Sequence, residues 1–309
     1  MFERWYILDV GAHTFRLYDM KEDQMIRFPA CYSVSEGKVE KVGKEAMQYV
    51  YKDQRKYKVH YPLEDGFLMH DLGILVHEGL KRAHAHERLM KPSLLVLVPF
   101  SLPESEREKW NDILLSQGVK KVRFITMIDL GEKDLESQFF ISVGHTICEM
   151  AIFIQGNCVI RKSIPFAGKQ VGEAIQMCVA KKTNCLISYE DANALMVTAS
   201  SLFSEHKSGV LNAAAFDRYQ KFVNVQIQSN DLWPCFLEVE KQIAWWAKSL
   251  FETIPLPAQE KIASHGVRLM GGLAPLFGLS HLLSESLGCL VVCSRDPEYD
   301  MLKKAKEYL

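Results

Sequence analysis

No apolar run in this chain approaches the ~20 residues that a helix needs to cross a bilayer, which argues against a membrane-spanning segment. Charge of one sign is missing too. Thirty-seven basic residues against 38 acidic ones leave a net charge of -1, so no global field favours nucleic acid or an anionic membrane, and any such contact must be local. Paired cysteines are absent: the eight, at 31, 148, 158, 178, 185, 235, 289 and 293, include no C-x-x-C, and most sit in apolar stretches. They read as buried thiols in a reducing compartment. The opening "MFERWYILDV" lacks both a basic lead before a long apolar core and a small-residue cleavage site, so the expected location is cytoplasmic. A metal cluster has little to stand on. "HAHE" at 84–87 offers three ligands with no second ligand group to join them, and it reads as a solvated helix face.

What is present is an ordinary globular composition, 48% hydrophobic and 24% charged, over 309 residues, enough for two domains or one bilobal body. The pattern predicts a strand over 4–10, a turn at Gly11, a return strand over 15–20, a hairpin at 36–43 and a helix in "KEAMQYVYKD". Leu72, Leu75, Val76, Gly79, Leu80 and Ala83 recur at helical spacing between 71 and 88, and "SLLVLVP" at 93–99 is a buried strand. Ser101 is a cap and Pro103 a first-turn residue for a helix that runs to Ser116, before a strand at 121–126. This alternation implies a parallel or mixed sheet with helical cover.

The sequence then repeats itself. "YILDVGAHTFRLYDM" at 6–20 and "FFISVGHTICEMAIF" at 139–153 share an apolar strand, Val-Gly, a His-Thr turn and a second apolar strand. The second copy continues with a third strand in "CVIRKSIPFAG" and a helix over 169–183. The stretch 188–237 is mixed and less regular, and an amphipathic helix over 238–254 follows. A strand "GVRLM", the pair Gly271 and Gly272, a helix from Pro275 to Leu287, a strand "CLVVCS" and a helical tail complete the chain.

In this order the segments resemble the bacterial actins of the MreB type. "LDVGAHTFRLY" matches the first phosphate hairpin of that family, "YPLEDGFLMHD" the return from its small subdomain, and "LVPFSLPESERE" the passage before its hydrolysis region. "ISVGHTICEMAIF" sits at the second phosphate hairpin, "KSIPFAGKQVGEAI" at the strand and helix after it, "GVRLMGGLAPLFGL" at the adenosine loop, and "LLSESLGCLVVCSRDPE" after that loop. The resemblance implies an α/β, bilobal actin-like fold, two duplicated sheet-and-helix lobes around a cleft. It assigns 1–136 to the first lobe (small subdomain 32–65), 137–296 to the second (small subdomain 188–237), and 297–309 to a helix returning to the first lobe.

The same resemblance implies ATP or ADP with magnesium as cofactor, the two hairpins gripping phosphates through backbone N–H groups. Carried over residue by residue, the site holds Asp9 on the metal side, with Gly11, His13 and Thr14 in the first turn and Gly144, His145 and Thr146 in the second. Gly168, Gly271 and Gly272 line its nucleoside end. A plain edge hairpin with a tolerated Asp9 is the other reading of the first turn. Several family positions are changed. Ser142 replaces the second aspartate, His145 and Thr146 replace glycines, and His13 and Phe15 are bulkier than the family pattern. Thr126, Met127 and Ile128 stand at the Glu-Glu-Pro of the hydrolysis region, with Asp129 or Glu132 as substitute acids of the wrong spacing. The family's nucleoside-binding Glu and Lys fall near Asn193 or Ala194 and at Met196, Lys169 replaces an acid after Gly168, and Leu273 replaces the third loop glycine. ATP hydrolysis is therefore expected to be weak or lost, with nucleotide binding left open.

"ERLMKPSLL" resembles the family segment that dips two apolar residues into the bilayer, here Leu89 and Met90; covering the end of the preceding helix is the competing role. Two such side chains contribute only ~2 to 4 kcal/mol, so many subunits must bind together, and a filament supplies that multivalency. The implied protein is a cytoskeletal, filament-forming subunit at the inner face of the membrane that maintains cell shape. Its partners would be further copies of itself, the membrane surface and membrane proteins of the cell-shape machinery, with no nucleic acid. A non-polymerising actin-fold adaptor of the pilus- or microcompartment-assembly type is the alternative, and an active ATPase or sugar kinase is disfavoured by Ser142.

Overall fold

A computed structural model describes residues 3–53, 55–87, 90–131 and 136–309. The chain forms two compact units, Met1–Gly131 with Tyr299–Leu309, and Glu132–Glu298.

The first unit contains β1 (Arg4–Val10), β2 (Thr14–Asp19), β3 (Gln24–Pro29), β4 (Tyr32–Ser35), β5 (Lys38–Val42), α1 (Lys44–Met47), β6 (Tyr57–His60), β7 (Leu63–Glu64) and β8 (Phe67–Leu68). It continues with α2 (Gly73–Arg82), β9 (Pro92–Leu97), α3 (Glu104–Ser116) and β10 (Lys121–Ile125). Its main sheet runs β10-β9-β1-β2-β3, with β1 antiparallel to β2 and parallel to β9. Every residue of β9 is buried, as a strand covered on both faces must be. Tyr6 and Leu8 pack against Leu72, just ahead of α2, Leu75 and Leu80 of α2, and Trp110 of α3. Ile7, on the opposite face, packs with Leu95, Leu97, Leu302 and Ala305, so the tail helix covers the sheet's second side. Helix α3 starts two residues later than expected: Ser101 is no cap, and Pro103 stands before the helix at ψ 154° rather than inside it. A proline also disfavours helical backbone in the residue ahead of it.

The second unit contains β11 (Ser137–Val143), β12 (Cys148–Ile154), β13 (Asn157–Ile164), α4 (Gly168–Thr183), β14 (Leu186–Ile187), α5 (Tyr189–Ser204), β15 (Val210–Phe216) and β16 (Phe222–Gln228). Then come α6 (Ser229–Phe251), α7 (Leu256–His265), β17 (Val267–Met270), α8 (Leu279–Leu287) and β18 (Val291–Cys293), while α9 (Asp300–Ala305) belongs to the first unit. The main sheet runs β13-β12-β11-β17-β18, antiparallel on one side of β11 and parallel on the other. The repeat legible in the sequence is thus a repeat of sheet topology.

The irregular stretch 188–237 is a correction. It holds α5, whose first turn is capped by Ser188 accepting from the Asp191 N–H at 3.0 Å, then the β15–β16 hairpin and the first turns of α6. Helix α6 begins at Ser229 rather than 238, with Pro234 inside it. A proline there removes one N–H donor and crowds the carbonyl four residues back. The unbroken buried stripe Leu232, Cys235, Phe236, Val239, Ile243 and Ala247 outweighs that cost. Helix α8 starts four residues later than expected because Gly278, at φ 96°, breaks helical backbone ahead of it. All eight cysteines are free thiols, with Cys31, Cys148 and Cys235 buried and the other five half-buried. None of the described helices is long and apolar enough to cross a membrane.

Candidate functional site

The first hairpin closes through the Gly11 N–H donating to the Thr14 carbonyl at 3.0 Å. A Cβ on Gly11 would lie 3.3 Å from that carbonyl oxygen and 4.0 Å from Arg16 Nη1. Register sets Asp9 opposite Arg16 and Val10 opposite Phe15, which puts the two pairs on opposite faces. Phe15 is fully buried, stacks on Phe28 at 4.5 Å and leaves no room for a side chain at Gly79, so its bulk lies in the core and not in the turn. Asp9 has a partner that sequence reasoning missed: Arg16 Nη1 donates to Asp9 Oδ2 at 2.9 Å, the guanidinium side chain only 9% exposed and the carboxylate 27%. The signal was available, since a turn of this length sets residue 16 directly across from residue 9. The His13 carbonyl accepts from the Ala30 N–H at 2.9 Å, tying the turn to the residue after β3.

The second hairpin closes the same way, Gly144 N–H to the Ile147 carbonyl at 2.9 Å, with Ser142 opposite a buried Glu149 and Thr146 buried in the turn. The imidazole of His145 is engaged sideways. Its Nε2 lies 3.1 Å from the Tyr189 phenol and its ring meets the tyrosine edge-on at 5.4 Å. Burial raises the Tyr189 phenol, with Glu173 adding to the shift, so the phenol keeps its proton in its hydrogen bond with Nε2. Gly172 makes room for this ring, since a Cβ there would come within 2.8 Å of it.

Helix α4 is stitched to this turn. An α-helix leaves its first N–H groups open to an anion, yet here Gly168 N–H donates to the Gly144 carbonyl at 3.3 Å and Lys169 N–H to the His145 carbonyl at 2.6 Å. Gly271, at φ 97°, rests on the end of β11, where a Cβ would sit 2.5 Å from the Val143 oxygen. Leu273 donates its N–H to the same carbonyl at 3.0 Å, and its buried side chain comes 3.4 Å from the Cβ position of Gly168. Gly272 is exposed beside it. The second unit therefore brings together Gly144, His145, Thr146, Gly168 and Gly271, while Asp9, Gly11, His13 and Thr14 gather in the first.

Other expected positions fall as follows. Asn193 lies one turn beyond Tyr189, and its buried side chain reaches that phenol without closing a well-formed hydrogen bond to it. Ala194 is exposed, and Met196 packs against the hydrophobic core. Asp129 is spoken for structurally: its Oδ2 accepts from the Thr126 N–H and hydroxyl, both at 2.8 Å, which caps the turn after β10. Met90 is 42% exposed. Leu89 and Glu132 lie outside the described residues.

These groups fit the two implied ligands unequally. The buried amide of Asn193, at the nucleoside position, keeps donor and acceptor capacity beyond its approach to the Tyr189 phenol and so suits a polar ligand. Magnesium needs carboxylates facing the turns. Asp9 is already paired with Arg16 and Ser142 offers only a hydroxyl, so the residues present do not fit that ion. Among the described residues no group of three or more His, Cys, Asp or Glu could hold a metal, and His84 pairs with Glu87 at 3.0 Å.

Comparison with known proteins gives the family and the fold. Residues 6–309 match the family described as MreB/Mbl protein. The cell shape-determining protein Mbl of Bacillus subtilis is 21% identical over 96% of this chain and 93% of its own length, and Mbl of Bacillus cereus is 22% identical over the same shares. Among solved structures, MreB5 of Spiroplasma citri bound to ADP superposes with a TM-score of 0.86 at 19% identity, covering 99% of this chain and 96% of that one. The MamK double helical filament gives 0.74 at 14% identity over 98% of both chains. With the family pattern running from the first strand to the last residue, and an actin-like fold shared with those structures end to end, the chain belongs to the MreB/Mbl family, the bacterial actins of the cell-shape cytoskeleton.

Proposed function

We propose that this protein is a filament subunit of the cell-shape cytoskeleton that binds an adenine nucleotide and hydrolyses it weakly or not at all. The observation that carries the reading is selective loss. Both glycine turns keep their closing hydrogen bonds, whereas Ser142 stands for the second acid and Asp129, a substitute acid at the hydrolysis segment, is bound up with Thr126. Phosphoryl transfer rests on positioning and charge stabilisation, and it fails without the groups that orient water and neutralise the phosphates. MreB5 of Spiroplasma citri, solved with ADP and with AMPPNP, supports nucleotide binding, and the MamK double helical filament supports self-assembly, which as a head-to-tail contact would be heterologous and not close.

The filament would lie at the inner face of the membrane, through Leu89 and the exposed Met90, and work with membrane proteins of the cell-shape machinery. One observation favours the adaptor instead. Leu273 lies against Gly168, and the first N–H groups of α4 are spent on the hairpin, an arrangement that asks for no nucleotide.

Sedimentation of the purified protein with and without ATP, with phosphate release followed in parallel, separates the readings. Pelleting with background release supports the filament; a protein that stays in the supernatant and binds no nucleotide supports the adaptor. Liposome flotation of Leu89→Ser with Met90→Ser tests the membrane contact. Lost flotation with an unchanged melting curve supports it, and persistent flotation removes it.

A further inference from the structure

The pair that sequence reasoning missed changes what the first hairpin asks of its ligand. A lone carboxylate beside a phosphate-gripping turn repels the phosphates, and a divalent cation between them relieves that repulsion. Here Asp9 does not stand alone. Arg16, directly across the β1–β2 ladder, donates from Nη1 to Asp9 Oδ2 at 2.9 Å, and the same nitrogen lies 4.0 Å from where a Cβ on Gly11 would be. The guanidinium is therefore against the turn itself. Being largely buried, the pair is weakly screened by salt, and arginine keeps its charge at any working pH. Its net charge is zero, so Asp9 is not a lone acid that repels a phosphate or holds a metal's water shell. The second hairpin adds no demand for a cation at the matching position, where Ser142 is uncharged.

We propose that the chain binds its nucleoside polyphosphate without a divalent cation, Arg16 neutralising Asp9 where the ion would otherwise be required. This rests on the nucleotide-binding reading above.

Titration calorimetry with ADP, on the full chain, in excess magnesium and in excess EDTA, tests it. The unmodified protein should bind with affinities that agree within about threefold in the two buffers. Arg16→Gln takes the positive charge away from Asp9 and should weaken binding in EDTA by about tenfold or more, with recovery on adding magnesium. Asp9→Asn with Arg16→Gln should lose that magnesium dependence again, and Asp9→Asn alone, with the carboxylate gone and the guanidinium kept, should bind in EDTA at least as tightly as the unmodified protein. Melting curves establish that each variant is folded; should Arg16→Gln not fold, the two-buffer comparison on the unmodified chain and on Asp9→Asn still decides. Binding in magnesium that collapses in EDTA overturns the inference. No ADP binding in either buffer by a folded, sedimenting protein overturns the nucleotide reading itself, a different result from the first.

Discussion

Strands β1 and β2 in the first unit and β11 and β12 in the second make the same hairpin, each closed by a glycine N–H bound to the carbonyl three residues on, at 3.0 and 2.9 Å. Their charges are handled differently. The first unit buries charge in pairs, Arg16 with Asp9 at the turn and Arg4 with Asp19 at the far end of the same strands. In the second, serine replaces the turn acid, and Glu240 on α6 is 1% exposed with neither carboxylate oxygen hydrogen-bonded. Glu240 lies against Gly278 and Trp233, and burial alone pushes its carboxyl up to about 8. The closed turn recurs because the end of each central strand pair cannot be made without it. Charge is imposed by each unit's surroundings and so can diverge.

The largest effect expected from this contrast is in pH dependence. Glu240 titrates near 8 when folded and in the ordinary carboxylate range when unfolded, so the native state holds the extra proton and stability falls as pH rises through that window. Glu240→Gln has no such term, and between about pH 5.5 and about pH 8 it should gain on the order of 3 kcal/mol relative to the unmodified protein, read by urea unfolding at each pH. Parallel curves for the two proteins would mean that Glu240 finds a partner in solution.

Next is the anchoring of the turns. Gly271→Ala drives a Cβ into the Val143 carbonyl at positive φ and should cost on the order of 3 kcal/mol, whereas Gly11→Ala, crowding only its own turn at 3.3 Å, should cost about 1 kcal/mol. Equal losses in urea melts would erase the difference between the hairpins. Tyr189→Phe removes the bond to His145 and should cost about 1 kcal/mol, with the His145 ring resonances shifting in NMR spectra. The smallest effect is none. Ser142→Asp alone should leave phosphate release from ATP at background, because Thr126, Met127 and Ile128 still hold the hydrolysis positions; activity regained by this one change would place the water-positioning group elsewhere.

Much of the fold was legible because the two sheets depend on local pattern. Alternation marked β1, β2 and β11, an apolar run marked β9, and the repeated Val-Gly turn announced that one sheet plan occurs twice. The misreadings came where a local rule lost to packing. The stretch 188–237 reads as irregular, yet the buried stripe from Leu232 to Ala247 carries helix α6 through Pro234. Ser101 reads as a cap, yet the helix begins only after Pro103. In the candidate site, residue identities pointed to the positions but not to their partners: His145 reads as an obstruction and is drawn to Tyr189, 44 residues away in sequence, and Asp129 reads as a spare acid and caps a turn.

The sequence by itself determined that there are two glycine-closed hairpins, which family positions they occupy and which acids are gone, since chain direction, side-chain period and residue chemistry need no long-range contact. Only the tertiary structure decided what the remaining charges do. Whether Asp9 is an available ligand or half of an ion pair depends on strand register. Whether Glu240 is charged depends on residues 233 and 278 closing over it, because the energy of a charge is set by the medium and the neighbours that folding assembles around it.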